Sequence, residues 1–218
     1  LVLTAPLFAQ EQREVSGRYP HLAVFNEGNE CGIGAVVPWA DRLWFLTYSP
    51  HFPKGSSDKL YSIGPDLSLV VHPESVGGTP AGRMIHAETR QLIIGPYVID
   101  AAGEVRVVSP EVMPGRLTGV ARHLEEPERK VYVATMEEGF YELDLETLEV
   151  VELYPDDQGQ LRGTDVERAA KIPGYHGKGL YSAQGRLVYA NNGEVGPEAQ
   201  RRPDITSGCL AEWDGEAW

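Results

Sequence analysis

Long apolar runs are missing from this chain of 218 residues. No stretch is long enough to cross a membrane as a helix, which takes roughly 20 apolar residues. Basic residues are scarce: 19 Lys and Arg stand against 32 Asp and Glu, for a net charge of −13. That balance disfavours nucleic acid or anionic lipid as the main partner, since both need a basic footprint. It leaves room for a small cationic pocket. Helical periodicity is missing too; the nearest candidate is Thr164–Lys171, a short stretch inside the long polar loop Pro155–Gly174. There is no GxxxxGK[ST] or GxGxxG phosphate loop between strand and helix, and no GxSxG nucleophile elbow. Cys31 and Cys209 are the only cysteines, so no disulfide framework carries the fold. A single bond between them is one option and two free thiols the other.

What is present is strand signal. Arg116–Asp156 holds the clearest unit: RLTGVARHL, KVYVATM, GFYELDL and LEVVELY, each closed by a tight polar turn. Four short strands of this kind make one blade of a β-propeller. Similar units precede and follow it. The first reads GIGAVV, RLWFLTYS, DKLYSIG, LSLVVH; the second GRMIHAET, QLIIGPY, YVIDA, EVRVVS; the fourth GKGLYSA, RLVYANN, CLAEW and a stub to Trp218. Tyr61, Tyr97 and Tyr141 recur at spacings of 36 and 44 residues, around the ~40–45 of a propeller blade. In Val131–Met136 both alternating sets are apolar, as a strand covered on both sides requires. Phe140–Leu145 alternates Tyr141, Leu143 and Leu145 with Glu142 and Asp144, which predicts a half-wetted strand near the rim.

These signals predict an all-β fold: a β-propeller of four-stranded antiparallel blades, with about four blades present as an open arc of a larger ring. The blades are placed near 31–75, 76–114, 115–156 and 172–218. Residues 1–9 (LVLTAPLFA) read as the remnant of a signal peptide, and 10–30 as a lead-in to the propeller at 31–218. The expected location is therefore exported, periplasmic or extracellular. The fourth unit stops inside its outer hairpin, so the natural protein is expected to continue.

Propellers tend to bind ligands at the mouth of the channel that their innermost strands line; the expectation here rests on that analogy. The loops leading into those strands are 75–83, 110–116 and 171–178, ending in Arg83, Arg116 and Lys178. Just inside lie His86, Arg122 with His123, and His176; Tyr175 lies in the third loop. The facing loops carry His51, Glu137, Asn191, Asn192 and Glu194. Arg83, Arg116 and Lys178 are candidate clamps for a carboxylate, with Arg122, Tyr175, His51, Glu137, Asn191, Asn192 and Glu194 completing a substrate-binding set. In a lyase, a cation neutralises the carboxylate and a base removes the acidified α-proton; His86, His123 and His176 are the candidate bases. A hydrolase needs two carboxylates about 5–9 Å apart, and only Glu137 or Glu138 with Glu194 could supply them. Three imidazoles could also converge on a metal, but no local ligand spacing such as HxH or HExxH supports one, so no metal residues are assigned.

The hairpins YVIDAAGEV and YELDLETLEV and the run RKVYVATMEEGFYELD resemble secreted bacterial propellers of the YVTN or quinoprotein-dehydrogenase-like type. SVGGTPAGRMIHAETRQLIIGPYVID, GRLTGVARHL and GYHGKGLYSAQGRLVYANNGE are similar to exported proteins of polysaccharide-degrading bacteria. The resemblance implies architecture over 31–218 and no particular activity, because such propellers include binders, lyases, hydrolases and oxidases. The quinone-cofactor signature is not evident, so the cofactor stays unassigned. The leading expectation is a propeller that binds, and as a lyase cleaves, an anionic oligosaccharide. A non-catalytic scaffold for a protein partner and a metal-dependent enzyme are the alternatives.

Overall fold

The computed structural model describes residues 32–48, 55–77, 82–136, 139–155, 172, 177–193 and 207–218. Cys31, one of the two cysteines whose pairing the sequence left open, and the stretch Thr164–Lys171 lie outside them; Cys209 is a free thiol among the described residues. Among the described residues every regular element is a strand. The first sheet is β1 (Gly32–Trp39), β2 (Arg42–Tyr48), β3 (Leu60–Ile63) and β4 (Leu69–Val71). The second is β5 (Arg83–His86), β6 (Gln91–Ile94), β7 (Tyr97–Asp100) and β8 (Val105–Val107). The third is β9 (Leu117–Arg122), β10 (Lys130–Thr135), β11 (Phe140–Asp144) and β12 (Val150–Tyr154). The last has three strands among the described residues: β13 (Gly179–Ala183), β14 (Arg186–Gly193) and β15 (Ser207–Trp213). Each is an antiparallel meander in chain order, and together they form an open arc of propeller blades.

Turn chemistry sets the hairpins. The turn between β1 and β2 puts Ala40 and Asp41 at φ 47° and 55°. Gln184 and Gly185 do the same between β13 and β14, at φ 53° and 70°. Two positive φ values in a two-residue turn match the twist of the flanking strands.

The core lies between blades. Ala35, Trp44, Leu46 and Leu60 of the first blade pack on Leu92, Ile94, Tyr97 and Ile99 of the second. Ile93 and Val98 turn the other way and meet Val131, Val133, Tyr141 and Leu143 of the third. Tyr132, Ala134 and Phe140 then meet Leu180, Leu187, Tyr189 and Trp213 of the fourth. The two faces of β10 thus serve two different interfaces, which is why both of its alternating sets are apolar.

The expectation of a half-wetted β11 needs correction. Tyr141 and Leu143 are buried against the second blade. Glu142 and Asp144 do not simply face water either. Asp144 is 5% exposed, paired with Arg129 at 2.5 Å, and accepts from the N–H groups of Glu146 and Thr147 at 2.9 and 3.0 Å. A buried carboxylate with partners leaves the same sequence pattern as a wetted one.

The fan converges on glycines. A Cβ on Gly82 would lie 2.9 Å from the Gly119 backbone, and one on Gly119 would lie 2.7 Å from Leu180 Cβ. Gly82 N–H donates to the Leu117 carbonyl at 2.7 Å, across two blades. Side chains at these points would hold the inner strands apart.

The recurring tyrosines fasten the connections. Tyr97 Oη donates to the Gly77 carbonyl at 2.6 Å, and Tyr141 Oη to the Pro114 carbonyl at 2.9 Å. Both carbonyls lie in the loop leading into the tyrosine's own blade or just before it. Burial first of all pushes the Tyr97 hydroxyl up to about 12.

Candidate functional site

The inner strands β5, β9 and β13 stand side by side, and a groove of about 440 Å³ runs across them. Arg83, Thr118, Arg122, Lys178, Tyr181 and Ser182 are among the residues that line it. Arg83 and Lys178 are exposed and make no ion pair among the described residues. Arg122 is bonded to Glu88. That hydrogen bond is the main reason the Glu88 carboxyl sits below the usual range. Thr118 Oγ1 is shielded from solvent and has no hydrogen-bond partner among the described residues. Polar atoms in that position normally have one.

Three of the expected cations therefore share one groove. They are not clustered at a point. Matching the hairpin registers puts Ser182 level with Arg122, so Lys178 lies four strand positions away along the groove. At ~3.3 Å per residue that is roughly 13 Å. Positive charge is spread as a ladder, not focused as a clamp.

The histidines are placed differently from the expectation. His86 ends β5 and His123 follows β9, so both sit at the first hairpin of their blade, away from the loops that lead in. The inner strands are only four to six residues long, and a few residues decide which mouth a side chain reaches. His86 is 1% exposed. Its Nε2–H donates to the Pro127 carbonyl at 2.8 Å, since a carbonyl can only accept. Its Nδ1 lies 2.9 Å from Thr89 Oγ1 and accepts from Thr89 N–H at 3.3 Å.

His123 repeats the device. Its Nδ1 accepts from the N–H groups of Glu125 and Glu126 at 3.2 and 2.9 Å. That leaves the proton on Nε2, which donates to Glu142 Oε2 at 2.9 Å. Its ring stacks on Tyr132 at 4.4 Å. Lys130 Nζ binds the other oxygen of Glu142 at 2.9 Å and Glu126 at 2.5 Å. Burial pushes the Glu142 carboxyl up, but Lys130 and His123 outweigh it and the net shift is downward. Both imidazoles have both nitrogens engaged, so neither offers a free lone pair to a substrate.

The other expected residues divide. Arg116 precedes β9 and does not line the groove; its carbonyl accepts from Met136 N–H at 2.9 Å. Asn191 is buried and its side-chain oxygen accepts from Gly193 N–H at 2.7 Å, within β14. Asn192 also lies on β14, away from the groove lining. His51, Glu137, Tyr175, His176 and Glu194 lie outside the described residues, as does Glu138. Among the described residues no group of three or more His, Cys, Asp or Glu could hold a metal.

One polar cluster escaped the sequence reading. Arg42 Nε–H donates to Ser62 Oγ at 2.8 Å, Ser62 Oγ lies 2.9 Å from His72 Nε2, and His72 Nδ1 lies 3.8 Å from Glu74. The order serine, histidine, carboxylate is that of a nucleophilic triad. Here Ser62 is fully buried and already accepts from Arg42, while His72 stacks on Trp44. The hydroxyl cannot reach a substrate. These groups come from β2, β3 and the end of β4, so no local spacing announces them.

No known family profile matches the chain, and no curated protein matches it. Among solved structures, it is similar to a structural-genomics protein of unknown function from Bacteroides thetaiotaomicron, with 13% identity and a TM-score of 0.44 over 76% of this chain and 42% of that one. It is also similar to a chain in the S. cerevisiae complex of Dbp5 L327V with Nup159, Gle1 H337R, IP6 and ADP, with 9% identity and a TM-score of 0.39 over 83% of this chain and 44% of that one. The chain spans less than half the length of either. The architecture rests on the strand pairing.

Proposed function

We propose that this chain is part of an exported propeller of the secreted bacterial YVTN or quinoprotein-dehydrogenase-like type, and that it binds an anionic oligosaccharide along the groove over β5, β9 and β13. The observation that carries the reading is the pair Arg83 and Lys178, exposed in one groove without ion-pair partners among the described residues, in a chain of net charge −13. Cations lining a groove attract anions locally whatever the net charge of the molecule. The ladder of charge suits an extended chain with repeated carboxylates better than a single small anion.

Binding is favoured over lyase turnover because His86 and His123 are buried and fully bonded. The same observation favours the second reading, a non-catalytic scaffold for a protein partner.

Calorimetric titration with oligogalacturonate and with a neutral gluco-oligosaccharide separates the readings. The acidic sugar is expected to bind and the neutral one not to. Arg83→Ala and Lys178→Ala should each weaken the acidic ligand about tenfold, the size of one charge-assisted hydrogen bond. Equal binding of both sugars, or of neither, sinks the proposal.

A further inference from the structure

Three cations line the groove, and one of them is already taken. Arg83 and Lys178 are exposed with no ion pair among the described residues, whereas Arg122 is bonded to Glu88. The registers order the three along the inner strands. Lys178 stands level with Thr118, Arg83 level with Val120, and Arg122 two positions further on. Arg122 therefore closes the far end of the ladder from Lys178.

Glu88 comes from another blade. It stands in the turn 87–90 between β5 and β6, 34 positions before Arg122. That turn is fixed from beneath. Thr89 N–H donates to His86 Nδ1 at 3.3 Å, and Arg90 N–H to the Ala87 carbonyl at 3.3 Å. His86 Nε2–H donates to the Pro127 carbonyl of the third blade at 2.8 Å. The second Glu88 oxygen lies 3.8 Å from the same nitrogen. The buried histidine thus sets the turn against the third blade and holds the carboxylate at the arginine.

The blades do not need this pair in order to pack. In the next interface Glu125 follows His123 by two residues, as Glu88 follows His86, and Ser182 stands at the level of Arg122. The turn carboxylate recurs there and the arginine does not. The side chains of Arg122 and Glu88 are 44% and 32% exposed, so solvent reaches the pair and either partner can exchange. Exposed ion pairs of this kind add little to stability. A carboxylate bonded to a guanidinium is also what an acidic sugar brings to the same place.

We propose that Glu88 is an internal stand-in for a ligand carboxylate, holding the Arg122 end of the groove until an anion long enough to span it takes its place. This rests on the anionic-oligosaccharide reading and adds to it a residue that sets how much the groove gains from a longer ligand. A short acidic ligand settles on Lys178 and Arg83 and never meets Glu88. A long one reaches Arg122 and displaces Glu88, so the benefit of its extra length is cut by the cost of opening the pair.

Calorimetric titration of the parent and Glu88→Gln with digalacturonate and hexagalacturonate tests this. Glutamine keeps the side-chain length and drops the charge. Hexagalacturonate should bind Glu88→Gln about threefold to fivefold more tightly than the parent, the range set by opening an exposed ion pair. Digalacturonate should bind both alike, and the gain should vanish in Glu88→Gln/Arg122→Ala. An equal gain for both sugars is a general charge effect and overturns the inference, as does no gain, or a gain that survives without Arg122. In each of those cases the parent still binds, and the groove stands as an anion site. Absence of binding in the parent and in both variants instead removes that reading and this inference together.

Discussion

The interface between the second and third blades and the one between the third and fourth share β10, yet they are built from different chemistry. The former is mostly aliphatic: Ile93, Val98, Val131, Val133, Leu143 and Leu145, with the ring of Tyr141. The latter is aromatic, with Tyr132, Phe140, Tyr189 and Trp213, and it borders the network of His123, Glu142, Lys130 and Glu126. Phe140 and Tyr132 both meet Trp213 edge-on, at 5.4 and 5.3 Å. An aliphatic interface asks only for volume. An aromatic one with a charged border asks for geometry and for a protonation state.

That contrast orders the expected losses. Phe140→Ala empties the centre of the aromatic interface and should cost about 3–5 kcal/mol in urea unfolding. Leu143→Ala, its aliphatic counterpart, should cost about 2–4 kcal/mol, with the lower end expected if neighbouring methyls relax into the space. Equal, small losses would mean that the blades do not depend on one another. Tyr141→Phe keeps the ring and strands the Pro114 carbonyl, for about 1–2 kcal/mol.

Acid should separate the interfaces further. Glu142 and Asp144 both lie below their ordinary values in the folded chain. A depressed carboxylate contributes stability that is present above its unfolded pKa and is lost as pH falls through the folded one. Stability should therefore fall below about pH 4.5, and Glu142→Gln should flatten that acid limb. An unchanged acid limb in Glu142→Gln would remove Glu142 from the account. The smallest expected effect on stability is at the groove: Arg83→Ala and Lys178→Ala are surface changes and should stay within about 0.5 kcal/mol of the parent.

The blades were legible because their signal is local. The apolar character of both faces of Val131–Met136 and the recurring Tyr61, Tyr97 and Tyr141 follow from how strands alternate and how hairpins repeat. That Arg83, Arg122 and Lys178 fall on one groove was legible for the same reason, since each sits at or near the end of an inner strand. The rest depended on distances between segments. Glu142 reads as wetted until His123 and Lys130 are seen beside it. His86 reads as available until the Pro127 carbonyl, from the next blade, is found against Nε2. Glu88 stands next to the first hairpin of its blade and reads as a solvated turn residue, but it holds Arg122.

The most direct measurement is the salt dependence of oligogalacturonate binding to the parent and to the Arg83→Ala/Lys178→Ala double variant. The account predicts measurable affinity in the parent that declines steadily as salt screens the groove, and no saturable binding in the double variant at an unchanged melting temperature. Affinity that ignores salt, or that survives in the double variant, would contradict it.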